Sequence, residues 1–194
     1  MTMRDPRLST RQLTRVEYEH LIETGFFQPG DKVELIGGRL MVAEPQGSRH
    51  AATVSLVADA LRAAFGNGWY VMVQLPVALD AESEPEPDVA VVPGTAREYW
   101  DAHPSRPVLV VEVADSSVAL DREHKASLYA RAGVPDFWIV SINEGVLEVH
   151  RQPVLSPAAP YGWRYAEVRR LGRSATASPV AIPTVLIPVT DLLR

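Results

Sequence analysis

"PEPDVAVVP" (residues 85–93) sets an aspartate, Asp88, at the mouth of a run of four apolar residues. A carboxylate entering a buried strand must be paired, protonated or bound to a cation, because an unpaired buried charge costs several kcal/mol. "PVLVVEVAD" (107–115) repeats the anomaly, with Glu112 inside its apolar run. Near-continuous apolar runs suit strands covered on both faces, so 88–92 and 108–113 are expected as adjacent central strands, each with an inward carboxylate. "KVELIGG" (32–38) adds a third acid, Glu34, between Val33 and Leu35. For each acid an exposed edge position or a structural ion pair is the plainer alternative. Carboxylates that converge in a low-dielectric site repel one another unless a divalent cation sits between them. The chain has no cysteine, so such a cation would be held by oxygen or imidazole, and an oxygen set suits Mg2+ or Mn2+.

Outward from these strands, the pattern alternates helix and strand. Thr14 and Glu17 have the spacing of a capping box, predicting a helix over 15–24 that stops at Gly25. Two apolar runs around Gly37-Gly38 predict a β-hairpin over 32–44. Val54, Val57, Ala58, Leu61 and Phe65 recur at helical spacing within 48–65, and "GNG" (66–68) ends that helix. A strand is expected at 69–79, a helix at 119–133 closed by Gly133, and strands at 136–140 and 145–151. The Pro-rich segment 152–162 reads as loop, and 163–169 with 185–189 as a further strand pair. With 194 residues and 46% hydrophobic content, the chain can bury about 70% of its unfolded surface around one core. The expectation is a single α/β domain over 13–194, a mixed β-sheet flanked by helices, after an N-terminal segment 1–12.

Lys125 falls with Leu128, Tyr129 and Ala132 at i, i+3, i+4 and i+7, in the buried stripe of its helix. An amine there either snorkels past the core or points at carboxylates. His50 lies likewise on the inner face of its helix with Val54, Val57 and Leu61, where a satisfied structural histidine is the plainer account.

Net charge is −5; residues 1–120 hold 10 basic and 17 acidic groups, and 121–194 hold 9 and 7. No polybasic run is present, which argues against tight, non-specific nucleic-acid binding by one protomer. Of the 19 basic residues only Lys32 and Lys125 are lysine, so a retained lysine draws notice. The first residues lack a signal-peptide pattern and no run of about 18 apolar residues occurs, so a soluble, cytoplasmic protein is expected.

"ELIGGRL", "SRH", "EPDVAVV", "LVVEVADSS", "DREHKASLYARAGVPDFWIV" and "SPVAIPTVLIPVTDLL" together resemble the Uma-type endonuclease family, within the PD-(D/E)XK restriction-endonuclease-like superfamily. The resemblance runs from about Leu13 to the C-terminus and implies a restriction-endonuclease-like fold with a nuclease site. It matches Pro87-Asp88 to the PD element and Glu112 to the second acid, both as metal ligands. Two residues beyond Glu112 stands Ala114, so the usual lysine is missing from that strand; the Uma-type pattern is similar in placing it on the following helix, here Lys125. Glu34 matches the family's N-terminal acid, as an additional ligand or a water-positioning group.

The resulting expectation is a Mg2+- or Mn2+-dependent endonuclease acting on DNA. Asp88, Glu112 and the Val113 carbonyl hold the metal, Lys125 steadies water and transition-state charge, and Glu34 assists. The alternative is a catalytically silent binding or assembly module that keeps the fold; a glycosidase using paired carboxylates is a weaker third. An acidic chain would bind DNA weakly without divalent ions. A homodimer could assemble Arg39, Arg49, Arg122 and Arg131 into one cleft.

Overall fold

A computed structural model describes residues 11–28, 30–42, 46–115 and 118–194. The first ten residues of the N-terminal segment, the end of the expected hairpin (43–44) and Ser116-Ser117 of "LVVEVADSS" lie outside them.

The N-terminal half assembles as its local signals require. Helix α1 (Arg15–Glu23) starts at the Thr14/Glu17 capping box, which closes in both directions. Strands β1 (Val33–Ile36) and β2 (Arg39–Val42) pair antiparallel across Gly37 and Gly38, both at positive φ (56° and 74°), as a two-residue hairpin turn demands. Helix α2 (Ser48–Phe65) buries Val54, Val57, Ala58, Leu61 and Phe65 and ends at Gly66.

The centre is a six-stranded sheet in the order β3-β4-β5-β6-β7-β8, made of β3 (Trp69–Val73), β4 (Val89–Pro93), β5 (Leu109–Ala114), β6 (Asp136–Ser141), β7 (Val146–Leu155) and β8 (Trp163–Gly172). Only β5 and β6 are parallel; every other neighbouring pair in this sheet is antiparallel. The parallel pair needs a crossover, supplied by α3 (Val118–Leu120), a wide turn at Asp121–Lys125 and α4 (Ala126–Arg131). Alternate residues of the central strands feed two cores. Val89, Val91, Leu109, Val111 and Val113 pack with α2 and with α5 (Val189–Leu192). Ala90, Val92, Val110 and Ala114 pack with Ala126, Tyr129 and Ala130 of α4 on the other face. The sheet is thus covered on both sides, and the near-continuous apolar runs of β4 and β5 are explained.

Three expected elements change. The strand expected at 69–79 ends at Val73, because Gln74 adopts φ 50° and Pro76 has no N–H for the ladder. Part of the expected loop 152–162 is strand: β7 runs to Leu155 through Gln152 (φ 61°) and Pro153. Beyond Arg151 it no longer pairs with β6, so the proline costs no ladder bond on that side. Segment 163–169 pairs with β7, not with 185–189; Ile187–Pro188 (β10) pairs instead with Thr176–Ala177 (β9). Among the described residues no helix is long and apolar enough to cross a membrane.

Candidate active site

Strand register brings the two acids of the apolar runs together. In the β4–β5 ladder Val89 faces Val111 and Ala90 faces Val110, so one further step sets Asp88 opposite Glu112. The β3–β4 register sets Gln74 on the other side of Asp88, and the Gln74 N–H donates to the Asp88 carbonyl at 3.1 Å. Asp88 itself is 7% exposed. Its Oδ2 accepts the Val113 N–H at 2.8 Å, while Oδ1 lies 3.0 Å from His50 Nε2 and accepts from Gln74 Nε2 at 3.2 Å. Burial alone would raise its pKa, but the hydrogen bond and charge of His50, the Val113 N–H and Lys125 together hold it below the usual carboxylate value.

Glu112 shares its face of β5 with Val110 and Ala114, beneath α4. Its Oε1 accepts the Tyr129 hydroxyl at 2.7 Å and its Oε2 lies 2.9 Å from Lys125 Nζ. The helix carrying Lys125 widens to i→i+5 hydrogen bonding at this point, with the Ala126 N–H donating to the Asp121 carbonyl. Such single wide turns re-aim side chains and recur at functional sites. Here the wide turn also places Asp121 Oδ1 3.9 Å from Lys125 Nζ. Arg122 ties the turn to the sheet: its guanidinium donates to both carboxylate oxygens of Glu148 on β7, at 2.5–3.1 Å, and to Glu144 at 2.7 Å.

Glu34, on β1, completes the group. Burial raises its pKa, opposed by Lys125 and the Glu86 backbone N–H, and among the described residues its Oε2 is buried without a hydrogen-bond partner. Lys125 interacts electrostatically with Glu34, Asp88, Glu112 and Asp121, so four carboxylates share one ammonium. Burial pushes Glu112 up to about 8; Lys125 opposes this, and Asp88, Asp121 and Glu34 add to it. Burial would lower Lys125, but Glu112, Glu34 and Asp121 raise it well above the usual amine value. Fully ionised, the four carboxylates exceed the charge that Lys125 and His50 can supply, a deficit that the raised pKa values of Glu112 and Glu34 relieve by protonation.

That deficit, the unpartnered Glu34 oxygen and the all-oxygen donor set fit a hard divalent cation. Among the described residues no group of three or more His, Asp or Glu side chains is arranged to hold a metal ion. Mg2+ commonly takes only one or two carboxylates, completing its shell with water and substrate phosphate, so the Asp88–Glu112 pair is compatible with it.

Comparison with known proteins now bears on this geometry. Residues 15–185 match the model of the family Uma2, described as "Putative restriction endonuclease". The chain belongs to the Uma2 family. Among solved structures, one described as a "putative nuclease belonging to DUF820" from Anabaena variabilis ATCC 29413 is similar over 82% of this chain and 88% of that chain, with 16% sequence identity and TM-score 0.60. That likeness shows the restriction-endonuclease-like mixed sheet flanked by helices as a shared fold. No curated protein matches the chain.

Within the Uma2 frame, the expected site residues Glu34, Asp88, Glu112 and Lys125 meet electrostatically in one place, with Lys125 reaching Glu112 from the helix. Val113 meets Asp88 through its N–H. His50 has its ring satisfied by a direct contact with Asp88, as the plainer account of it allows, and its inward position was the only signal of that contact in the sequence. Gln74 and Tyr129 were not expected at the site. Tyr129 lay in the same apolar stripe as Lys125, whereas Gln74 had no signal, since only strand register places it. The arginines divide: Arg122 is committed to Glu148 and Glu144, and Arg131 to Asp80 at 2.7 Å. Arg49 lies 3.9 Å from Asp115, and Arg39 has no ion pair among the described residues.

Proposed function

We propose that this Uma2 protein is a Mg2+- or Mn2+-dependent endonuclease that hydrolyses DNA phosphodiester bonds. The observation that carries the reading is Lys125, brought from a helix to 2.9 Å from the acid of β5, with Asp88 opposite that acid in register. Asp88 and Glu112 would hold the cation, with the Val113 carbonyl as a further ligand. The cation would neutralise the scissile phosphate and lower the pKa of a bound water.

This chain's residues do the rest. His50, Gln74 and the Val113 N–H fix the Asp88 carboxylate and keep it ionised. Tyr129 orients Glu112 through Oε1, leaving Oε2 to the cationic side. Lys125, released from Glu112, donates to the attacking water or to the developing charge on the phosphate. Glu34, with its unpartnered oxygen, positions water or adds a ligand. We place its action in the cytoplasm, on DNA, with two protomers paired to supply more phosphate contacts than one acidic chain can.

A second reading, a silent binding module that keeps the fold, draws on the saturation of both acids: each oxygen of Asp88 and Glu112 already has a protein partner. Incubation with supercoiled plasmid in Mg2+, Mn2+ or chelator separates the two. Nicking or linearisation that needs the divalent ion and is lost in Asp88→Ala is the expected result. Intact plasmid in every condition, with no rise in Tm on adding Mn2+, would favour the silent module.

A further inference from the structure

We infer that a cleft beside the acidic group, between the β1–β2 hairpin and the helix carrying Lys125, is a subsite for a backbone phosphate of the DNA strand; the inference rests on the nuclease reading. The cleft has a volume of about 380 Å³, and its lining includes Gly37, Arg39, Glu82, His124, Arg131 and Tyr161. Three of its features point to an anion.

First, part of its cationic donor capacity is unused. Arg39 is exposed, and its guanidinium makes no ion pair or hydrogen bond among the described residues. Arg131 gives one nitrogen to Asp80 and Ser83, yet its Nε is buried with no hydrogen-bond partner. A buried donor of this kind costs free energy until an acceptor arrives, and a phosphate offers several acceptor oxygens to a guanidinium fork. Asp80 already pairs with Arg131, so Arg39 is the guanidinium left to balance the lining carboxylate Glu82, and His124 adds further donor capacity.

Second, the wall is aromatic and built to a close tolerance. The Arg131 guanidinium stacks over the Tyr161 ring at 5.2 Å, and His124 meets the same ring edge-on at 6.4 Å. Gly37 has to be glycine for this wall to stand. It has φ 56°, and a Cβ there would lie 2.6 Å from Tyr161 Cε1. A guanidinium stacked on a ring keeps its nitrogens in one plane for the oxygens of a phosphate.

Third, the cleft borrows its frame from the candidate active site. His124 precedes Lys125 in the wide turn, and Gly37 and Arg39 lie on the hairpin whose first strand carries Glu34. A strand whose scissile phosphate sits at Asp88 and Glu112 would then place a further phosphate against elements that also carry Glu34 and Lys125. The cleft would set the strand's register without reading its sequence, as phosphate contacts do.

The test is fluorescence anisotropy with a short labelled duplex, Ca2+ present to permit binding without turnover, across about 50 to 200 mM salt. Arg39 is exposed, so Arg39→Ala should fold normally. The variant is expected to lower the slope of log Kd against log salt by about 0.9, the value of one lost phosphate contact. Arg39→Glu should weaken binding further and cut plasmid nicking in Mg2+, and the Arg131 Nε–H resonance should move when duplex is added to wild type. Wild type that binds and nicks DNA with the same slope as Arg39→Ala, and an unmoved Arg131 resonance, would overturn the subsite while leaving the nuclease reading intact. Wild type that neither binds nor nicks DNA would overturn both.

Discussion

Two places in one sheet bury carboxylates, and they treat them in opposite ways. At the start of β6, Asp136 is wholly buried and fully paired. Arg151 donates to both of its oxygens at 2.9 and 3.2 Å, Trp138 Nε1 donates at 2.8 Å, and the Val180 N–H donates at 2.9 Å. Across β4 and β5, Glu34, Asp88, Glu112 and Asp121 share Lys125, and an oxygen of Glu34 has no partner. Residue type and burial alone do not separate these two sites. The local pairing differs: Asp136 meets one guanidinium, whereas four carboxylates meet one ammonium.

The largest expected effect breaks the neutral site. Asp136→Ala strands the Arg151 guanidinium and the Trp138 N–H, and should cost about 3–5 kcal/mol of stability in a denaturant melt. A loss below about 1 kcal/mol would place Asp136 with weak surface pairs and remove the contrast.

The next effect is on rate. Lys125→Ala should lower nicking about 100- to 1,000-fold, equivalent to roughly 3–4 kcal/mol, if its ammonium has the proposed role of meeting charge that develops in the transition state. Lys125→Arg should fail too, since a planar fork does not replace a compact ammonium. Mn2+ should still raise the Tm of both. Full activity in either would return Lys125 to a structural role.

Another buried acid lies between the two regimes. Glu84 is 1% exposed, with Arg15 Nη1 at 3.9 Å and His103 Nε2 at 3.7 Å, too far to saturate it. Burial and neighbouring Glu19 push it up to about 7, from an ordinary value of 4.5. The folded state thus holds this proton more tightly than the unfolded chain, so the group's contribution is complete below about 4.5 and lost as pH rises to about 7. Glu84→Gln should remove that loss and leave the variant about 2 kcal/mol more stable than wild type above pH 7. Thermal melts at several pH values decide this, and parallel curves for the two proteins would refute it.

The smallest effect is the sharpest comparison with Asp136. Glu112→Gln relieves repulsion among the acids while keeping an acceptor for the Tyr129 hydroxyl, so without metal it should match wild type to within about 1 kcal/mol or exceed it. Nicking should disappear. A loss of several kcal/mol would make Glu112 a structural acid like Asp136.

The sequence by itself determined the alternation of helices and strands, the two-faced cover of β4 and β5, and the acids that violate it, because periodicity and an out-of-place charge are local signals. The capping box at Thr14, the Gly37-Gly38 turn and the inward side of Lys125 were legible for the same reason. What tertiary structure decided depends on distance along the chain. Register across three strands set Gln74 and Glu112 on either side of Asp88, and α2 brought His50 to the same carboxylate. Helical periodicity put Lys125 on the buried face; it could not show the wide turn at Asp121–Lys125 or the Arg122 tether to Glu148 that holds it. The division of the arginines into committed and free was equally hidden. Each guanidinium finds its carboxylate through the fold, and composition records only how many of each there are.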